Sequence, residues 1–276
     1  VDNFKLKYEM TARRMDIQAQ VVDVGEWQSL RGRGTPQEKT IEFLNLTFRY
    51  KVPERMEDLV SDVLPNMPWA EDHFQERVSG EPLNPGEQYK NWPWYKGNVD
   101  THRTVGKGPE GQTFVKEKQF SHTYMERYWP KYAGSRWEEH LNWGIRYKYG
   151  DLNDVVDLLA RSPFTRQAYL PVWFPEDTGS VHGERVPCSL GYHFILRRGE
   201  LHVVYYIRSC DFFRHFRDDV YLTCRLLQWV IEELRQKAVM SGDWLNVKPG
   251  RLTMHITSLH CFEAERKRLK EVAKRL

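Results

Sequence analysis

The chain has 276 residues, 40% of them hydrophobic and 29% charged, with 41 basic against 38 acidic side chains and a formal net charge of +3. That near balance argues against a general polyanion binder, so any basic site must be local. The length and apolar content suffice to bury a substantial core, and one domain over residues 1–276 is the expectation.

No apolar run reaches the roughly 18 residues that a membrane-spanning helix needs, and the N-terminus lacks a signal-peptide core. A cytoplasmic location, with reduced thiols and no membrane partner, is expected. Cys188, Cys210, Cys224 and Cys261 form no CxxC pair and show no zinc-ligand spacing, so no metal is predicted.

Residues from about 53 to 134 are rich in Pro, Gly, Trp and charge, as in "GEPLNPGEQYKNWPWYKGN", and read as irregular connections around short helices. The pattern then becomes regular. "DLNDVVDLLARSP" places Leu152, Val155, Val156, Leu158 and Leu159 at helical spacing, opens on Asp151 as an N-cap and stops before Pro163. "RQAYLPVWF", "SLGYHFILRR" and "ELHVVYYIRS" read as strands, the last two joined by a hairpin at Arg198-Gly199. "VYLTCRLLQWVIEELRQKAV" reads as a long buried helix, "RLTMHITSLHCF" as a further strand and "EAERKRLKEVAKRL" as a charged C-terminal helix. The fold class is α+β: a mostly antiparallel or mixed sheet backed by helices.

Arg166 follows a predicted helix, Cys188 begins a strand, Arg208 ends the next, Asp219 begins the long helix and His260 ends the last strand. Strand ends converge at one edge of a sheet, so these groups can share a pocket.

"NDVVDLLARSPFTRQAYLPVWFPEDTG", "RVPCSLGYHF", "YYIRSCDFF" and "PGRLTMHITSLHCF" resemble, in order and at about the right intervals, successive blocks of the thymidylate synthase superfamily. The resemblance covers residues 137–263. It implies a thymidylate synthase-like mixed sheet, an obligate homodimer, a pyrimidine nucleoside monophosphate as substrate and a folate, 5,10-methylenetetrahydrofolate, as cofactor. Cys188 would be the thiolate that adds to C6 and makes C5 nucleophilic. Arg208 and Ser209 match the phosphate-binding Arg-Ser pair. Arg166 matches the first of two arginines supplied by the neighbouring subunit, with Gln167 in place of the second.

Asp219 stands where thymidylate synthases have asparagine, which is similar to deoxycytidylate hydroxymethylases. A carboxylate accepts from the cytosine amino group and repels the uracil oxygen; the alternative is that Asp218 or Asp219 caps the following helix. His260 matches a sugar-binding histidine, whose companion tyrosine is Phe262 here. Asp211 matches a pteridine contact, Trp94 lies in a folate-side block resembled by "NWPWYKGN", and His193 replaces a glutamine in base recognition. The family's general acid/base glutamate falls on Asn91, and a family tyrosine on Trp143.

These residues predict a one-carbon transferase that hydroxymethylates C5 of dCMP or CMP. The charged end "EVAKRL" does not resemble the apolar tail that closes the reductive enzymes, which favours hydration over reduction. Reductive methylation of dUMP or dCMP stays open, as does a nucleotide-binding or subunit-interaction protein without catalysis, motivated by Asn91, Gln167 and Phe262. Direct nucleic-acid binding through the aromatic and basic residues between Trp92 and Arg146 is not expected, because no basic stripe is present.

Overall fold

Arg198 and Gly199 both take positive φ, 53° and 75°, the backbone that a two-residue turn between twisted antiparallel strands requires. In the computed structural model this turn joins β6 (Ser189–Arg197) to β7 (Glu200–Asp211), the predicted hairpin. Described are residues 3–23, 39–94, 104–107, 113–116, 120, 122–131, 133, 149–178, 186–237 and 244–276. Tyr95, Trp143 and Arg185 lie outside them.

The other predicted elements are present. The helix α5 (Leu152–Arg161) is capped by Asp151, whose side chain accepts from Asp154 N while Asp154 accepts from Asp151 N. It buries Leu152, Val155, Val156 and Leu159. "RQAYLPVWF" contributes only the three residues of β5 (Tyr169–Pro171) as strand. The long helix α6 spans Phe216–Lys237, the last strand β8 Lys248–Phe262 and the C-terminal helix α7 Arg266–Ala273. Within the irregular region lie α2 (Met56–Val63), α3 (Trp69–Arg77), a ribbon of β3 (Thr104–Lys107) and β4 (Thr113–Lys116), and α4 (Tyr124–Tyr128). Three elements lie in the first 51 residues, where none was predicted: α1 (Phe4–Gln18), β1 (Gln20–Asp23) and β2 (Lys39–Lys51).

Six strands form one mixed sheet in the order β1-β2-β8-β7-β6-β5, antiparallel throughout except for the parallel pair β7/β8. Three neighbours share one distortion. On β2 the core side chains are Ile41 and Phe43, then Leu46, Phe48 and Tyr50. On β8 they are Leu252, Met254 and Ile256, then Leu259 and Cys261. On β7 they run from Leu201 to Ile207, then resume at Cys210. Each strand thus sets two successive residues off the core face: Leu44-Asn45, Thr257-Ser258 and Arg208-Ser209. Asn45 takes φ 56° to do so. Leu44 pairs with Ser258 and Ser258 with Ser209, so the steps are aligned and the register survives. The step puts Arg208 and Ser209 side by side, half-buried, at the end of the sheet.

The core fills the space between the sheet and the helices α1 and α6. Tyr8 stacks on Phe212 at 4.4 Å between centroids, and beside them Phe48 packs edge to face on both Phe4 and Phe216. Truncating one fully buried member, as in Leu259→Ala, costs about 2–5 kcal/mol. The opposite face of the sheet carries a row of half-exposed and exposed rings: Tyr169 against His193, and Tyr206 stacked on His255 at 5.4 Å. No described helix is long and apolar enough to cross a membrane.

Candidate active site

Cys188 sits at the mouth of β6, half-buried against the core. None of the four cysteines is in a disulfide. The loop before it is held by Arg208: Nε donates to Pro187 O at 2.9 Å, Nη2 to Val186 O at 3.0 Å, and the Arg208 backbone N–H to Cys188 O at 2.9 Å. Among the described residues two of the five side-chain N–H groups are thereby used and three remain for a ligand. The guanidinium also lies over the Trp173 ring. Ser209 follows at the sheet step, opposite Ser258.

Ser189, next to Cys188, is buried and joins two phenols, 2.6 Å from Tyr205 OH and 3.3 Å from Tyr124 OH. Burial, reinforced by Cys188, pushes Tyr124 up to about 12. It is therefore a neutral donor at any working pH.

Asp219 lies in the first turn of α6. Neither aspartate there caps the helix through its side chain. Asp218 accepts from Asn66 N and Nδ2 and so ties α6 to the loop before α3. Asp219 accepts at Oδ2 from the Cys210 thiol, 3.4 Å away. Burial raises the Asp219 carboxyl to about 7, with Arg77 and the Cys210 contact opposing and Asp218 adding to the rise. The turn into α6 is instead held by Asp211, whose Oδ1 accepts from Phe213 N and Arg214 N, both at 3.0 Å.

Asp211 anchors a second cluster. Its Oδ2 binds Arg214 Nη1 at 2.9 Å, and the Arg214 guanidinium lies over Phe262 at 4.2 Å and Trp94 at 5.7 Å. His260 pairs with Asp211 across β7/β8. Burial holds His260 below the usual imidazole range, against the pull of Asp211 and Glu42. Asp211, Trp94 and His260 are thus brought together around Arg214. Three of about four carboxylate acceptor positions on Asp211 are taken.

Arg166 and His193 form a third group. His193 Nε2 lies 3.0 Å from Arg166 O, and both face away from the core, with the Arg166 side chain exposed. Gln167 is exposed beside it. Asn91 is also exposed, its amide on Gln88 Oε1.

Three further residues on α3 reach the site, and no motif announced them. Arg77, only 6% exposed, lies over the Tyr124 ring at 4.2 Å. Its Nε donates to His73 Nε2 at 3.0 Å, and His73 Nδ1 faces Glu76 Oε2 at 3.4 Å. Burial and then Arg77 bring His73 down to about 4, so the ring is neutral with its proton on Nδ1. α3 is docked on α6 by Glu71, which accepts from Arg225 twice at 2.9 Å and from Tyr221 OH. A cavity of about 140 Å³ beside Tyr124 is lined by His73, Glu76, Tyr89, His122 and Met125.

A family model described as "Thymidylate synthase" matches residues 118–276, beginning before and running past the 137–263 stretch. Three archaeal relatives bear the name "Putative thymidylate synthase". The Methanosarcina barkeri protein is 27% identical over 116 residues, 42% of this chain and 48% of the relative. The Methanosarcina acetivorans protein is 26% identical over 146 residues, 53% and 55% of the two chains. The Methanosarcina mazei protein is 28% identical over 109 residues, 40% and 44%. The chain spans about half the length of the curated relatives it matches.

Proposed function

Because the chain belongs to the thymidylate synthase family, a family of one-carbon transferases, we propose that it hydroxymethylates a cytidylate at C5. The products are 5-hydroxymethyl-(d)CMP and tetrahydrofolate. The observation that carries this reading is Asp219, a carboxyl raised to about 7 that acts on Tyr124 as Cys188 does, where an asparagine would suit uracil. Ionised, it accepts from the cytosine amino group and repels O4 of uracil. Protonated, it donates to cytosine N3.

The remaining roles follow the clusters. Cys188 adds as thiolate to C6, and the pair of electrons displaced from C5=C6 makes C5 a nucleophile. Arg208 offers three N–H groups and Ser209 a hydroxyl to the 5′-phosphate. His260 serves the sugar, and His193 stays a weaker candidate for the base because its ring is bound to Arg166 O. For the folate, Asp211 keeps about one acceptor position and Trp94 a buried indole N–H without a partner among the described residues, groups that fit the polar edge of a pteridine. When bound, 5,10-methylenetetrahydrofolate supplies the carbon at the oxidation level of formaldehyde. A homodimer through the open face of the sheet gives Arg166 a use, since its exposed side chain can then serve the second copy's phosphate site.

A second reading, reductive methylation, is favoured by the name of the archaeal relatives. Incubation with each pyrimidine monophosphate and methylenetetrahydrofolate, followed by product mass, separates the readings. A cytidylate gaining CH2O supports hydroxymethylation. A gain of CH2 with dihydrofolate overturns it. Nucleotide binding without exchange of the C5 hydrogen would leave a binding protein.

A further inference from the structure

Arg77 is a guanidinium at 6% exposure with no carboxylate in ion-pair contact among the described residues, and its only hydrogen-bonded side-chain nitrogen is Nε. Its two terminal nitrogens, with four N–H groups, have no acceptor among the described residues. A buried charge normally pairs with another or the structure loses several kcal/mol, so an unmatched one calls for a ligand. The side chain is oriented from behind. Glu76 holds His73 Nδ1, His73 Nε2 holds Arg77 Nε, and the Tyr124 ring supports the flat face. Asp218 and Asp219, whose carboxyls Arg77 pulls down, do not close to a salt bridge with it. The surroundings are the phenols of Tyr124, Tyr128, Tyr192 and Tyr205, and Tyr124 and Tyr205 bracket Ser189 next to Cys188.

Resting on the hydroxymethylase reading, we propose that Arg77 is a catalytic residue that hydrogen-bonds N3 or O2 of the pyrimidine and stabilises the negative charge formed when Cys188 adds. The balance is simple. The thiolate pair forms the S–C6 bond, the C5=C6 pair moves onto C5, and conjugation through C4 spreads the charge to N3 and O2. C5 then takes a proton from solvent and loses its original hydrogen, and elimination returns the thiolate. A fixed guanidinium in a site that excludes water stabilises such charge far more than it stabilises the neutral base. In sequence, "FQERVSG" shows Arg77 only as a charge ending a helix.

The test uses CMP and dCMP carrying tritium at C5, without folate, so that it reads the addition step whatever carbon is later transferred. Arg77→Gln is expected to slow tritium release at saturating nucleotide by about 100-fold or more, with Arg77→Lys recovering part of the loss. Affinity for the nucleotide should fall about tenfold, while affinity for ribose 5-phosphate, which has no base, should stay unchanged. If Arg77→Gln does not fold, the same comparison in Arg77→Lys decides. Release within threefold of wild type, with only its pH profile moved, would make Arg77 a counter-ion of Asp219 and overturn the assignment. Equal affinity losses for nucleotide and sugar phosphate would overturn it too. Should wild type release no tritium, the hydroxymethylase reading fails, and the affinity comparison alone decides whether Arg77 meets the base.

Discussion

Arg208 donates through Nε to Pro187 O at 2.9 Å and so fixes the residue that precedes the candidate nucleophile. Under the proposed function one guanidinium has two tasks, shaping the Cys188 loop and meeting the phosphate. Arg208→Ala should weaken binding of nucleoside monophosphate by about tenfold to 100-fold, the weight of one or two charge-assisted hydrogen bonds. Nucleoside binding should change little. Arg208→Lys should keep part of the phosphate affinity but lose the fork on Val186 O and Pro187 O, so alkylation of Cys188 should change in both variants. Titration calorimetry with paired ligands checks the first point, and equal losses for nucleotide and nucleoside would contradict it.

Cys188→Ala is expected to abolish turnover and C5 hydrogen exchange while nucleotide binding survives. In the proposed function the thiolate supplies reaction chemistry, and affinity is assigned to Arg208, Ser209 and Asp219. Residual exchange in the alanine variant would remove the covalent step.

The Asp219 carboxyl has an ordinary value of 3.8 and is raised by burial to about 7 in the fold. The folded protein keeps a proton that the unfolded chain releases between those values. Stability therefore falls as pH rises from about 4 to about 7, and the loss is complete above that window. Asp219→Asn removes the ionisation, so its stability relative to wild type should increase from pH 4 to pH 8. Urea midpoints at pH 4, 6 and 8 give the comparison. A difference that does not vary with pH would show that Asp219 is not buried as an acid.

The regular half of the chain was legible because its periods are clean: the apolar stripe of α5, the alternation of β6 and β7, and the turn at Arg198-Gly199. β2 was hidden by the step at Leu44-Asn45, which reverses its alternation midway. α1 was hidden because Leu6, Met10 and Ile17 face outward while Glu9 and Thr11 are buried, so its apolar periodicity is blurred. Cys188, Arg208 and Asp219 are candidates that the ordered motifs single out. Arg77, His73 and Glu76 are not, since three polar residues on a short helix look like a solvated face until α3 is docked on α6. Asn91 held the place assigned to an acid/base group, yet it faces solvent and α3 reaches the Tyr124 side instead.

Selection of cytosine by Asp219 is read directly from the ratio of kcat/KM for cytidylate to that for uridylate in wild type and in Asp219→Asn. A mismatched buried polar contact costs about 1–3 kcal/mol, or roughly a fivefold to 100-fold change in preference. The ratio should be well above one in wild type and fall by at least fivefold in the asparagine variant. An unchanged ratio, or a wild type that prefers uridylate, would contradict that selection.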